Sequence, residues 1–365
     1  MEKYIKIDRI SDISDDKWTL LSQEIKKGSL IIYPTDTVYG LGAVITNEQS
    51  INNVYLAKSR SFSSPLIALL SSVDKVEEVA NVSDKNRELS VFVAKTTDMV
   101  NTMRSIHNPT PVVCAAIGRS MTATSIMAVG MKGEKDKITT IIKGDGPVGN
   151  ITCVSNHTGN VKACATNYNV DLPIRDNNKL DVGGAVGVNG SLTVIKDLGL
   201  KEPYIGNCQL ISGEIAEDYT NYLLTSEQIR SAVGLGVLVD VDYTVIHSGG
   251  FIVYVMPFAD EDTISRVENN INYLSSVTDM MKEGKSPEDI ADILLSGLGC
   301  EVLSKRQISY ECDCSKDRIE KALISLGKKE IEKMYNEDKK VEVQCHFCNK
   351  KYNFDEKELM SLIKK

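Results

Sequence analysis

The 365-residue chain is 42% hydrophobic and 25% charged, a composition that supports buried cores and excludes a chain too polar to fold. Its formal net charge of −8 argues against a general nucleic-acid binder, though not against a local basic patch. The length suggests two or three domains. The start Met1-Glu2-Lys3-Tyr4-Ile5-Lys6 lacks a secretory pattern, and no uninterrupted apolar run reaches the ~18 residues of a membrane span, so a cytoplasmic protein is expected.

Residues 1–82 read as α/β material. An amphipathic stretch from Trp18 to Ile25 stops at Gly28, and Ser29–Tyr33 has the character of a short buried strand. A polar, glycine-rich turn, Pro34 to Gly42, follows. A helix is expected over 47–57 and another buried strand over 66–70. At Ser83-Asp84-Lys85-Asn86-Arg87 the chain turns polar, and a domain boundary is placed at 82/83.

Residues 83–258 are strand-rich and punctuated by glycine. Strands are expected over 89–94, 137–143, 191–195, 233–239 and 251–256, with the best helix over 112–131. Asn189-Gly190 before Ser191 is a hairpin signal. The spacing in Gly183-Gly184-Ala185-Val186-Gly187-Val188-Asn189-Gly190 matches neither the dinucleotide nor the phosphate-loop fingerprint, so turn chemistry is the reading.

Residues 259–311 hold eleven acidic residues against five basic ones. Ile264, Val267, Ile271, Leu274 and Val277 recur at helical spacing and predict one amphipathic helix over 263–281. Ser286-Pro287-Glu288-Asp289 starts a second that ends near Gly297. Helices this short are marginal alone and need a partner surface.

The nine cysteines fall into two groups. Cys114, Cys153, Cys164, Cys208 and Cys300 are isolated and read as small core residues. Cys312-Asp313-Cys314 and Cys345-His346-Phe347-Cys348 form two close pairs, which offer four thiolates for a tetrahedral Zn2+. His346, between two ligands, is expected to point outward. Lys316, Arg318, Lys339, Lys340, Lys350 and Lys351 lie near in sequence and would offset the thiolate charge. Spacing alone also fits an inert structural zinc module. A nucleic-acid-binding zinc ribbon is a weaker alternative, because 312–365 carries thirteen Lys and Arg against eleven Asp and Glu. If the thiolates were oxidised, a module held by metal would unfold and release the marginal helices beside it.

Several longer stretches carry a resemblance. Gly144–Pro147, Lys179–Gly187, Asp197–Tyr204, Ser212–Asp218, Thr225–Gln228 and Gly234–Val239, closed by the two cysteine pairs, resemble the 33 kDa chaperonin family of redox-regulated holdases over residues 83–365. The resemblance implies an α+β fold: a β-rich chaperone core with packed helices (83–258), a metastable helical linker (259–311) and a small zinc domain (312–365). It implies that reduced Cys312, Cys314, Cys345 and Cys348 hold one zinc ion and keep the chaperone off. Disulfides Cys312–Cys314 and Cys345–Cys348 would release zinc, unfold the linker and expose a surface for unfolded or oxidatively damaged client proteins, without ATP. The oxidised form would be a homodimer.

Residues 1–82 resemble part of a YrdC-type threonylcarbamoyl-AMP synthase, through Tyr33–Gly42, Lys58-Ser59-Arg60 and Ser64-Pro65-Leu66. The resemblance makes Lys58 and Arg60 vestigial nucleotide-binding residues. The second half of that cleft is replaced by the chaperone-like segment, so a non-enzymatic role is expected, with synthase activity as the alternative.

Overall fold

The computed structural model describes residues 77–176 and 179–364, together with residues 23, 27, 29–34, 39–42 and 54. The chain divides into two compact units, Met1–Lys75 and Val76–Lys365. In the first, β1 (Ile31–Pro34) pairs antiparallel with β2 (Tyr39–Gly42), Ile31 opposite Gly42. Part of the expected turn is therefore a strand. Apart from Val54, which is helical and buried, the helix expected over 47–57 and the strand over 66–70 lie outside the described residues. So do Lys58 and Arg60.

The second unit holds two five-stranded antiparallel sheets. The first contains β3 (Glu78–Ser83), β4 (Leu89–Lys95), β10 (Ser231–Val239), β11 (Val245–Val255) and β12 (Glu301–Gln307) in the order β10-β11-β4-β3-β12. The second contains β5 (Lys137–Lys143), β6 (Asn150–Asn156), β7 (Val161–Ala165), β8 (Ser191–Asp197) and β9 (Tyr204–Gln209) in the order β7-β6-β5-β8-β9.

The boundary expected at 82/83 is corrected by this topology. Val79, Ala80 and Val82 are fully buried, and β3 pairs with β4 from Val79 opposite Ala94 to Ser83 opposite Ser90. The polar run at 83–87 is the turn between these strands. The Asp84 carboxylate accepts Asn86 N–H at 2.9 Å and Leu89 N–H at 2.7 Å, and Arg87 takes φ 62°. Charge in that run serves turn geometry, as Asp commonly does.

Helix α1 (Thr97–His107) leads into α2 (Pro111–Val129), the core of the unit. Helix α2 packs against β4, β10 and β11 of one sheet and β5, β6 and β7 of the other. A helix apolar on all sides must be buried on all sides. Among the described residues it is the one helix long and apolar enough to cross a membrane, and 94% of its apolar window is buried inside the protein.

Asn189-Gly190 is not a hairpin turn. The element before it is the short helix α3 (Val182–Val186), and β8 pairs with β5 and β9 instead. Gly190 serves close approach, because a Cβ there would run into the Lys143 carbonyl oxygen. Helix α4 (Ala216–Thr225) completes this part of the core.

Residues 259–311 lay three helices on the first sheet: α5 (Glu261–Asn272), α6 (Val277–Lys282) and α7 (Pro287–Leu294). The single helix expected over 263–281 is split because Ser276 caps a new start, accepting Asp279 N–H. At α7 the expected Ser286 cap is present as a reciprocal box with Asp289. Val267, Val277, Met280, Met281, Ile290 and Leu294 bury against Val82, Leu89, Val91, Val93, Phe251 and Val253 of the sheet. Strand β12, which lacks clear hydrophobic alternation, was not anticipated.

Candidate metal centre

The C-terminal residues form a small module: α8 (Lys316–Leu326), α9 (Lys328–Asp338), the hairpin β13 (Val341–Gln344) and β14 (Lys351–Phe354), and α10 (Glu356–Lys364). Its apolar cluster is small, comprising Leu323, Ile331, Tyr352, Phe354, Leu359 and Leu362 with a few half-buried neighbours. So little buried surface leaves such a module in need of a further clamp.

The cysteines supply the material for one. Cys312 and Cys314 lie in the extended stretch before α8, whose first turn is capped by Ser315. Cys345 and Cys348 lie in the turn between β13 and β14, where Cys345 N–H donates to Lys350 O at 2.9 Å and Asn349 takes φ 58°. The four Sγ atoms all fall within 4.8 Å of one another. Close approaches join the two pairs: Cys312 to Cys345 at 3.7 Å and Cys314 to Cys348 at 3.3 Å. Four sulfurs around a tetrahedral zinc at its usual bond length sit about 3.8 Å apart. The donor set therefore fits a soft, tetrahedral divalent cation.

Thiols this close cannot all ionise without a cation between them. Burial and the neighbouring thiols push Cys312 up, and burial likewise pushes Cys348 up to about 11. Cys314 also bears a burial cost, yet hydrogen bonds from Tyr352 and the other thiols hold it below the ordinary thiol range. The Tyr352 hydroxyl donates to Cys314 Sγ at 3.1 Å. Sequence reasoning missed this residue as part of the site; an aromatic in a hairpin announces no hydrogen bond to sulfur. His346 is exposed, as expected.

The basic residues expected to balance the sulfurs largely take other partners. Lys316 pairs with Glu358, Arg318 with Asp313, Lys339 with Glu356 at 3.3 Å and Lys351 with Glu342 at 2.8 Å. Lys350 lies 5.7 Å from the Tyr352 ring centre. Carboxylates near the cysteines thus take the Lys316, Lys339 and Lys351 ammonium groups and the Arg318 guanidinium.

The cysteine loops are also tied to the core. Asp313 pairs with Lys162 of β7 and, at 3.4 Å, with Lys137 of β5. Against the cost of partial burial, Lys162 and Arg318 hold Asp313 far below the usual carboxylate range. The Phe347 carbonyl accepts from His107 Nε2 at 2.9 Å and from the Tyr310 hydroxyl, and Asn349 Nδ2 donates to Ile106 O at 2.7 Å. Lys162 Nζ stands 4.9 Å from the Phe347 ring centre.

The isolated cysteines differ from these four. Burial pushes Cys114 up to about 12 and Cys164 and Cys300 up to about 11, and raises Cys153 and Cys208 as well. Protonated thiols of this kind are poor nucleophiles near neutral pH.

Two helix-packed β-sheets with a four-thiol module at the C-terminal end define the class of protein. A family model described as Hsp33 protein matches residues 77–355, and the chain belongs to that family. The "33 kDa chaperonin" of Thermoanaerobacter sp. (strain X514) is 49% identical over 76% of this chain and 95% of the relative. That of Clostridioides difficile (strain 630) is 48% identical over 78% of this chain and 98% of the relative. The crystal structure of the 33 kDa chaperonin of Thermotoga maritima superposes with a TM-score of 0.72 at 33% identity, covering 79% of this chain and 98% of that one. A second family model, Sua5/yciO/yrdC, described as telomere recombination, matches residues 23–102. Both resemblances read from the sequence are thereby borne out.

Proposed function

We propose that the protein is a redox-regulated, ATP-independent chaperone that binds unfolding or oxidatively damaged proteins once its thiol centre is oxidised. The observation that carries this reading is the convergence of Cys312, Cys314, Cys345 and Cys348 within 4.8 Å, immediately after a segment bonded to the core. A metal ion bound there, with zinc favoured by the four-sulfur donor set, supplies a crosslink across a module too small to be stable alone.

The chemistry then belongs to the cysteines. Each close pair, 312–314 and 345–348, gives up two electrons and forms one S–S bond, while one peroxide is reduced to water or hydroxide. Sulfurs joined to each other no longer bind the ion. Structural zinc contributes roughly 10–16 kcal/mol of apparent binding energy, against whole-domain stabilities of roughly 5–15 kcal/mol. Its loss is enough to unfold residues 312–364 and to loosen α5–α7 from the apolar sheet face they cover. A cytoplasmic location, where the thiols stay reduced at rest, and a homodimer in the oxidised state complete the proposal. The functional regions are the core to residue 258, the linker 259–311 and the switch 312–365.

Threonylcarbamoyl-AMP synthesis by the N-terminal unit is not favoured. Residues 77–102, shared by both family matches, form β3, β4 and the start of α1, whose side chains build the chaperone core. Lys58 and Arg60 are accordingly vestigial nucleotide-binding residues in this reading.

The test is metal content and free-thiol count before and after peroxide at an unfolding temperature, with client aggregation followed on the same samples. Oxidation should remove one zinc and four thiols and suppress aggregation. Metal loss without any effect on aggregation would overturn the chaperone assignment.

A further inference from the structure

Segment 301–311 closes one edge of each sheet. Strand β12 lies along β3, from Glu301 opposite Ser83 to Gln307 opposite Glu78, with an irregularity at Leu303. Beyond it, Ile308 N–H donates to Glu77 O at 3.1 Å. The chain then crosses to the second sheet, where Val161 N–H donates to Ser309 O and Glu311 N–H to Val161 O, both at 3.0 Å. The next residue is Cys312. This strap is continuous with the metal loop.

The hold of β12 itself is mostly main-chain. All of Glu301–Gln307 is exposed except the half-buried Arg306, while Val79, Ala80 and Val82 beneath are fully buried. Side-chain anchors on β12 itself are Glu301 with Arg87 at 3.1 Å, Lys305 with Glu288 and Glu78, and Arg306 with the His157 carbonyl at 2.8 Å. Beyond β12, Ile308 is buried, Asn160 holds Ser309 and Glu311, and the Tyr310 hydroxyl donates to Ala163 O at 3.1 Å. A ladder of this kind accepts many sequences, because the backbone supplies the affinity. Strand β3 itself has neither proline nor lysine, two of the usual guards on a strand edge.

We propose that β3 is the docking edge for an extended segment of an unfolded polypeptide, and that β12 is its resting occupant. The occupant already in place argues for this partner: seven residues of mixed character, held by their main chain with their side chains outward. A client adding as a strand satisfies the same N–H and C=O groups of 78–83 and needs no defined sequence. The inference rests on the linker release proposed above and adds where the client binds.

Hydrogen exchange on the full chain tests it, comparing the reduced, zinc-loaded protein, the peroxide-activated protein, and the activated protein with a chemically unfolded client. Those amides of 78–83 that face β12 rather than β4 should lose protection on activation by about tenfold or more and regain it with client. Two variants probe the strap directly. Lys305→Pro and Arg306→Pro alter neighbours whose N–H groups point to opposite sides of the strand, so one of them removes a bond to β3. That variant should expose 78–83 and bind client while still holding its zinc. The inference is overturned if activated protein suppresses aggregation with 78–83 as protected as at rest, or exposed and left unprotected by client. Failure of zinc release or of aggregation suppression in the same samples would instead sink the parent reading.

Discussion

The Tyr352 hydroxyl donates to Cys314 Sγ across 3.1 Å, linking the apolar cluster of the C-terminal module to its thiol centre. The ring is buried beside Phe354 and Leu359, so the donor is held in place by the same packing that the metal would reinforce. Hydrogen bonds to a ligating atom orient it and tune its charge.

Tyr352→Phe removes that donor and keeps the ring. Metal affinity should fall about 10- to 100-fold, the usual cost of losing an outer partner, with the fold retained. Competition against a chromogenic chelator measures it, and unchanged affinity would make the hydroxyl a spectator.

Cys345→Ser removes a buried thiol of the proposed metal centre. The reduced variant should bind less than one zinc per chain, and residues 312–364 should become open to trypsin while 77–258 stays resistant. Metal analysis with limited proteolysis gives the answer; a resistant module lacking metal would contradict a metal clamp.

Asp313→Asn cancels the ion pairs to Lys162, Lys137 and Arg318 without touching a sulfur. Partly exposed pairs of this kind are each worth up to about 1 kcal/mol. The variant should keep its zinc but release it at lower peroxide or lower temperature, and added salt should narrow its gap from wild type. Zinc release across an ionic-strength series is the measurement.

Glu77 links β3 to α1, its carboxyl accepting the N–H groups of Asp98 and, at 2.7 Å, Met99. Burial, with Asp98 adding to it, pushes Glu77 up to about 8 from an ordinary 4.5. Below pH 4.5 the folded and unfolded states are both protonated. Between 4.5 and 8 the folded state keeps a proton that the unfolded state has lost, so stability falls as pH rises. Urea midpoints at pH 5 and pH 8 should therefore drop more for wild type than for Glu77→Gln. Parallel behaviour would show that this carboxyl ionises freely in the fold.

Much of the fold was legible because periodicity and caps are local. The strands at 89–94 and 137–143, helix α2 and the Ser286 cap stand where the sequence puts them. Strand β12 was invisible because an edge strand with exposed side chains has no buried face to leave a pattern. The boundary at 82/83 failed because a polar turn inside a sheet and a polar linker have the same composition.

The sequence by itself determined which sulfurs pair closely along the chain, while spacing alone left an inert zinc module and a redox centre both open. Only the tertiary structure decided the rest of the site: that Tyr352 reaches Cys314, that nearby lysines choose carboxylates over sulfur, and that residues 301–311 join the cysteine loop to both sheets. Some of these partners are near neighbours, as Lys351 and Glu342 are, but others are separated by tens to hundreds of residues along the chain. Their meeting depends on the path of the folded backbone, which hydrophobic periodicity does not encode.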